Sequence, residues 1–121
     1  MRKFLRYLMG ILFVLAGINH FISPESYLAL IPPYLPFPEF LNYFSGALEI
    51  LFGAGLMTER YHAWSAYGII FLMVAFIPAH VYHIQMDGCV SEKICIPLWA
   101  AWIRLLVIQP LIILWAYYCR K

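Results

Sequence analysis

The sequence predicts an all-α protein, a transmembrane four-helix bundle with a proline-rich interfacial loop between its first two helices. Three observations predict it. Of 121 residues, 64% are hydrophobic and 12% charged, where soluble proteins carry about 25% charged residues. The apolar residues fall in four blocks, about 4–22, 39–57, 63–83 and 97–118, and a hydrocarbon core of about 30 Å takes roughly 20 helical residues. The net charge of +2 comes from terminal clusters, which speaks for topology and against nucleic-acid binding. Little chain remains for a soluble part, so one domain, 1–121, is expected in the lipid bilayer.

Arg2, Lys3 and Arg6 precede the first block as they would in a secretory signal. No small-x-small triplet closes it and the apolar run is long, so it reads as an uncleaved span with its N-terminus in the cytoplasm. Arg60 in the second connection and Arg120 with Lys121 at the end agree with this, against Lys93 alone in the two other loops. The positive-inside rule therefore puts both termini in the cytoplasm. Gly10, Phe13, Gly17 and His20 share one face of this helix, and the glycines would let a neighbour approach closely.

The first external loop, 23–38, holds Pro24, Pro32, Pro33, Pro36 and Pro38 and cannot be one helix. It also holds Tyr27, Leu28, Leu30, Ile31, Tyr34, Leu35 and Phe37, so it should lie at the membrane interface or fold over the bundle as a lid. The second helix starts near Glu39, whose charge suits the positive end of the helix dipole. In its run NYFSGALEILFGAG, residues Asn42, Ser45, Gly46, Glu49 and Gly53 form a polar and small stripe. An ionised side chain facing lipid costs at least about 2.5–3.5 kcal/mol, so Glu49 must face protein or water inside the bundle and asks for a partner.

The residues Gly17-Ile18-Asn19-His20-Phe21, Pro24-Glu25 with Tyr27, Pro32-Pro33-Tyr34-Leu35-Pro36, Ser45-Gly46 with Glu49, and Gly53-x-Gly55-Leu56 together resemble the DoxX-like family of small four-helix membrane proteins. The resemblance implies a four-span bundle in a bacterial cytoplasmic (inner) membrane. It further implies an association with thiol or quinone redox chemistry or with maturation of other redox proteins. This chain carries no C-x-x-C pair.

In the third helix, Pro78 predicts a kink, and His80 and His83 follow it one turn apart, on a face with Met73 and Phe76. Cys89 and Cys95 lie in the next loop, which the charge count places outside, where a structural disulfide is favoured over redox chemistry because C-x5-C is uncommon as a catalytic pair. Cys119 should remain a thiol. In the fourth helix Arg104 is expected about 10 Å below the outer surface and Glu49 about 15 Å, within reach of each other. Arg104 shares a face with Ile108, Leu111 and Trp115, whereas Gln109 and Pro110 point elsewhere and Pro110 predicts a bend. Trp99, Trp102, Tyr117 and Tyr118 fit interfacial belts.

Assembled, His20, Asn42, Glu49, His80, His83 and Arg104 fall in the outer half of one bundle, with almost nothing polar in the inner half. No polar path continues inward, which makes a channel a poor reading. Three readings stay open. The pocket binds a lipophilic small molecule such as a quinone, with His80 or His20 donating to its oxygen and Glu49 in proton exchange. Alternatively His80, His83, His20 and Glu49 form a metal or haem site. In the third reading the chain is a non-enzymatic accessory or maturation subunit of a membrane or redox protein partner, and a Glu49–Arg104 pair is purely structural.

Overall fold

A computed structural model describes residues 1–90 and 94–121; Lys93, the cation expected in the external loops, lies outside the described residues. The order is α1 (Arg2–Ile22), α2 (Pro24–Leu28), α3 (Pro38–Leu56), α4 (His62–Ala75), α5 (Ile77–Gln85), α6 (Leu98–Ile103), a π-helical turn (Arg104–Ile108) and α7 (Gln109–Cys119). Among the described residues there is no β-strand, only an isolated antiparallel bridge between Cys89 and Cys95. Three helical stretches, Arg2–Ile22, His62–Gln85 and Leu98–Cys119, are long and apolar enough to cross a membrane. Their outward faces are apolar: Ile11, Leu15, Phe71, Leu106, Leu111 and Leu114 are exposed. Such a surface is compatible with lipid.

α1 and α3 run antiparallel and touch backbone to backbone through their glycines. A Cβ on Gly10 would stand 2.7 Å from the Gly53 carbonyl oxygen, and one on Gly53 would stand 2.7 Å from that of Gly10. Removing side chains from both surfaces lets the helix backbones meet closely. The core beneath this contact joins Met9, Leu56, Ala66, Ile69, Leu72 and Ala116.

The prolines break the other elements where they fall. The third block is split at Phe76, because Pro78 has no N–H to give Val74. Pro110 likewise cannot bond back to Leu106, and the Gln109 N–H reaches back five residues to the Arg104 carbonyl, opening the π turn. Between α1 and α3, Pro24 starts the five-residue α2 at its first turn, and the chain then turns through residues 29–37. Both chain ends and the 57–61 connection occupy one end of the bundle, with Arg2 over the Tyr118 ring at 4.8 Å; α2 and the Cys89–Cys95 loop form the other, the loop end.

Arg6 has a role beyond the terminal charge cluster. It is buried, with Nη1 donating to the Thr58 carbonyl at 2.9 Å and Nη2 to Glu59 Oε1 at 3.1 Å, and so closes the chain that leaves α3. The Arg6 guanidinium holds the exposed Glu59 carboxyl below its usual range. A depressed carboxylate contributes stability above its unfolded-state pKa and loses it as pH falls through the folded-state value. The acid limb of a stability–pH curve should therefore flatten slightly in Glu59→Gln, measured by thermal melting between pH 7 and 3.

Candidate functional site

The polar stripe of α3 faces α1 at the loop end. Gly46 sits between Asn42 and Glu49, and a Cβ there would stand 2.6 Å from His20 Cβ, so its absence brings the last turn of α1 against both polar residues. Asn42 Nδ2 donates to the His20 carbonyl at 3.1 Å, closing an acceptor that the end of α1 leaves open. That bond orients the amide, so Oδ1 accepts from His20 Nδ1–H at 2.9 Å. The other ring nitrogen, Nε2, lies 3.3 Å from Glu49 Oε2.

With Nδ1 protonated, Nε2 and the carboxylate can be neighbours in a buried site only if one more proton lies on one of them, since a bare carboxylate against a lone pair would be uncompensated. His20 and Glu49 are thus a proton-sharing pair, at 6% and 5% exposure. Glu49 Oε2 is buried and makes no hydrogen bond besides this approach of His20. Tyr27 of α2 stacks on the His20 ring with centroids 3.7 Å apart and accepts a hydrogen bond from Asn19 Nδ2 at 2.7 Å. The proline-rich segment therefore covers the pair with an aromatic ring held at both face and hydroxyl. Neither the ring contact nor the Asn19 bond follows from helical periodicity, because α2 obeys no long-range repeat.

Arg104 does not pair with Glu49, contrary to the expected Glu49–Arg104 pair. Its Nη1 donates to His83 Nδ1 at 3.1 Å, and His83 Nε2–H donates to the Gly88 carbonyl at 2.7 Å. An arginine cannot accept, so the ring must be the neutral Nε2–H tautomer. His83, 1% exposed, is a clamp between Arg104 and the turn at Gly88, and it does not line the cavity expected of it. Gly88 has φ +86° and its carbonyl also accepts from Ile96 N at 2.9 Å; next to it Cys89 and Cys95 are joined as a disulfide. One disulfide-closed turn therefore positions the guanidinium.

A cavity of about 620 Å³ lies between these groups, lined by His20, Asn42, Glu49, His80 and Arg104 among many apolar side chains. Leu30, Ile31, Pro32 and Leu35 of the proline-rich segment contribute to its lining. It is not confined to the loop end, as the expected outer-half site would be: it reaches Met9 on α1 and Trp115 on α7. Gln109 also lines it, against the expectation that it points elsewhere. The π turn adds a residue between Arg104 and Gln109, so extrapolation at 100° per residue fails there. Gln109 Nε2 donates to the Met73 carbonyl at 2.7 Å, where the break at Phe76 opens the helix ladder. Gln109→Leu should remove that partner and cost about 1–2 kcal/mol, read from detergent unfolding followed by circular dichroism.

Among the described residues no group of three or more His, Cys, Asp or Glu is placed to hold a metal ion. His80, His83, His20 and Glu49 are therefore not gathered into one metal-ion site. The physical reason is that His83 already has both nitrogens engaged with Arg104 and Gly88, while His20 faces Asn42 and Glu49.

No curated protein and no solved structure matches the chain. Residues 9–120 match the family model described as a domain of unknown function (DUF8561), which takes in most of α1 and all of the later helices, and the chain belongs to that family.

Proposed function

We propose that the chain is a DoxX-like membrane protein whose cavity binds a lipophilic small molecule, a quinone, in a redox-associated role. On this reading four helices span a bacterial cytoplasmic membrane with both termini inside and the loop end outside. α3 is the fourth span: its 19 residues reach about 28 Å at 1.5 Å per residue, and its two carboxylates and Asn42 lower its hydropathy without exposing Glu49 to lipid. The cations Arg2, Lys3, Arg60, Arg120 and Lys121 at the terminal end support that orientation.

The observation that carries the reading is the buried His20–Glu49 pair lining an apolar cavity, where Glu49 Oε2 has the His20 ring beside it and makes no other hydrogen bond. A quinone oxygen accepts a hydrogen bond and a quinol hydroxyl donates one. A pair sharing one proton can present a donor to the first and an acceptor to the second by moving that proton between His20 and Glu49. Arg104 and His80, also in the lining, offer a second polar contact.

The test is titration of the purified protein in lipid nanodiscs with decyl-benzoquinone. Trp115 is the cavity tryptophan; Trp99 and Trp102 are 68% and 46% exposed and report little of it. Saturable quenching of Trp115 and a rise in melting temperature are expected, with Glu49→Gln weakening binding at least about tenfold, which corresponds to the loss of one hydrogen bond to a charged group. An unchanged melting temperature and emission in the wild type would remove quinone binding from consideration.

A further inference from the structure

We infer that the cavity takes a ligand with one flexible apolar chain, lying with its polar head at the His20–Glu49 end and its chain running inward to Trp115; this rests on the quinone reading and narrows it to single-chain, long-tailed quinones. Along α1 the lining runs from His20 to Met9, about 16 Å at 1.5 Å per residue, and along the last helix from Arg104 to Trp115, the same distance. The ionisable groups all lie at the loop end of that length. On α3 the lining ends at Glu49, and further toward the terminal end the walls are Met9, Leu12, Leu72 and Ile112. Gln109, also in the lining, has its amide nitrogen bound to the Met73 carbonyl.

A cavity graded in this way matches an amphiphile and not a compact polar solute. Its volume of about 620 Å³ falls in the range, about 300–1,000 Å³, that holds one drug-sized molecule. One chain fits such a space, and the lining continues past the polar groups as far as Met9 and Trp115. A chain leaving lipid for this cavity moves between two apolar media, so it gains little affinity from burial. The chain instead decides orientation, because reversing the ligand would put the head oxygens among apolar side chains and away from the His20–Glu49 pair.

The experiment uses the full chain in nanodiscs with Trp64, Trp99 and Trp102 changed to Phe, leaving Trp115 as the reporter. Two probes are compared, decyl-benzoquinone brominated at the last chain carbon or at the carbon beside the ring. The terminal bromide should quench Trp115 at least twice as strongly, and excess unbrominated decyl-benzoquinone should relieve it. Equal quenching, or stronger quenching by the ring-proximal bromide, overturns the orientation. In a second arm, Ala16→Phe, one turn below His20 in the lining, should weaken decyl-benzoquinone at least tenfold and leave tail-less 1,4-benzoquinone within twofold. Loss of both ligands alike, or of neither, overturns the chain path. If wild-type melting rises with quinone while these outcomes fail, only the chain assignment falls; if it does not rise, the quinone reading falls with it.

Discussion

Gly53→Val is expected to destabilise the bundle by at least about 3 kcal/mol or to prevent its assembly, as read by unfolding in a mixed-detergent titration. The first added carbon would lie 2.7 Å from the Gly10 carbonyl oxygen and 2.9 Å from the Val14 backbone nitrogen. Both are backbone atoms, which cannot swing aside as a side-chain end can, so α1 and α3 must separate. Overpacking typically costs about 1–3 kcal/mol and occasionally more. Separation here also loosens the close approach of His20 to Gly46 on the same helix pair, and with it the Asn42 and Glu49 contacts. Gly68→Ala serves as the comparison: its nearest atoms belong to the Phe52 ring at 2.6 Å, an end that can turn. It should cost less than half as much. Equal losses at the two sites would mean that the glycine contact does not set the α1–α3 distance.

His20→Ala is expected to cost about 3–5 kcal/mol, the range for breaking a buried pair by removing one partner. Three contacts go at once: the bond to Asn42 Oδ1, the approach to Glu49 and the Tyr27 stack. The remaining Glu49 carboxyl would be buried beside nothing that shares its proton. Adding Glu49→Leu should restore at least half of the lost stability, since replacing both members of a buried pair by apolar groups is often neutral. The double variant should still fail to respond to decyl-benzoquinone, which separates the pair's part in holding the fold from its part in the proposed binding. A double variant as unstable as the single one would show that the Tyr27 stack and the Asn42 bond, and not an orphaned carboxyl, account for the loss.

The positions of the helices are legible in the linear chain, because long apolar blocks bounded by prolines and charges leave few alternatives. The four expected blocks coincide with helical stretches, the third and fourth interrupted near Pro78 and Pro110. The glycine face of α1 and the polar stripe of α3 are legible for a similar reason: a 3.6-residue period holds within an unbroken helix. It is also legible that Glu49 needs company.

Who that company is was decided only in three dimensions. His20 reaches Glu49 because paired glycines bring α1 and α3 closer than side-chain-covered helices can come, and closeness between two helices is not written in the periodicity of either. Arg104 is drawn to His83, which is itself anchored on the turn that the Cys89–Cys95 disulfide closes. The π turn before Pro110 breaks the very period used to place Gln109, and Tyr27 sits in a segment with no period at all. A linear pattern states which residues share a face; charges buried together choose partners by distance and proton count, and those quantities exist only once the helices have packed.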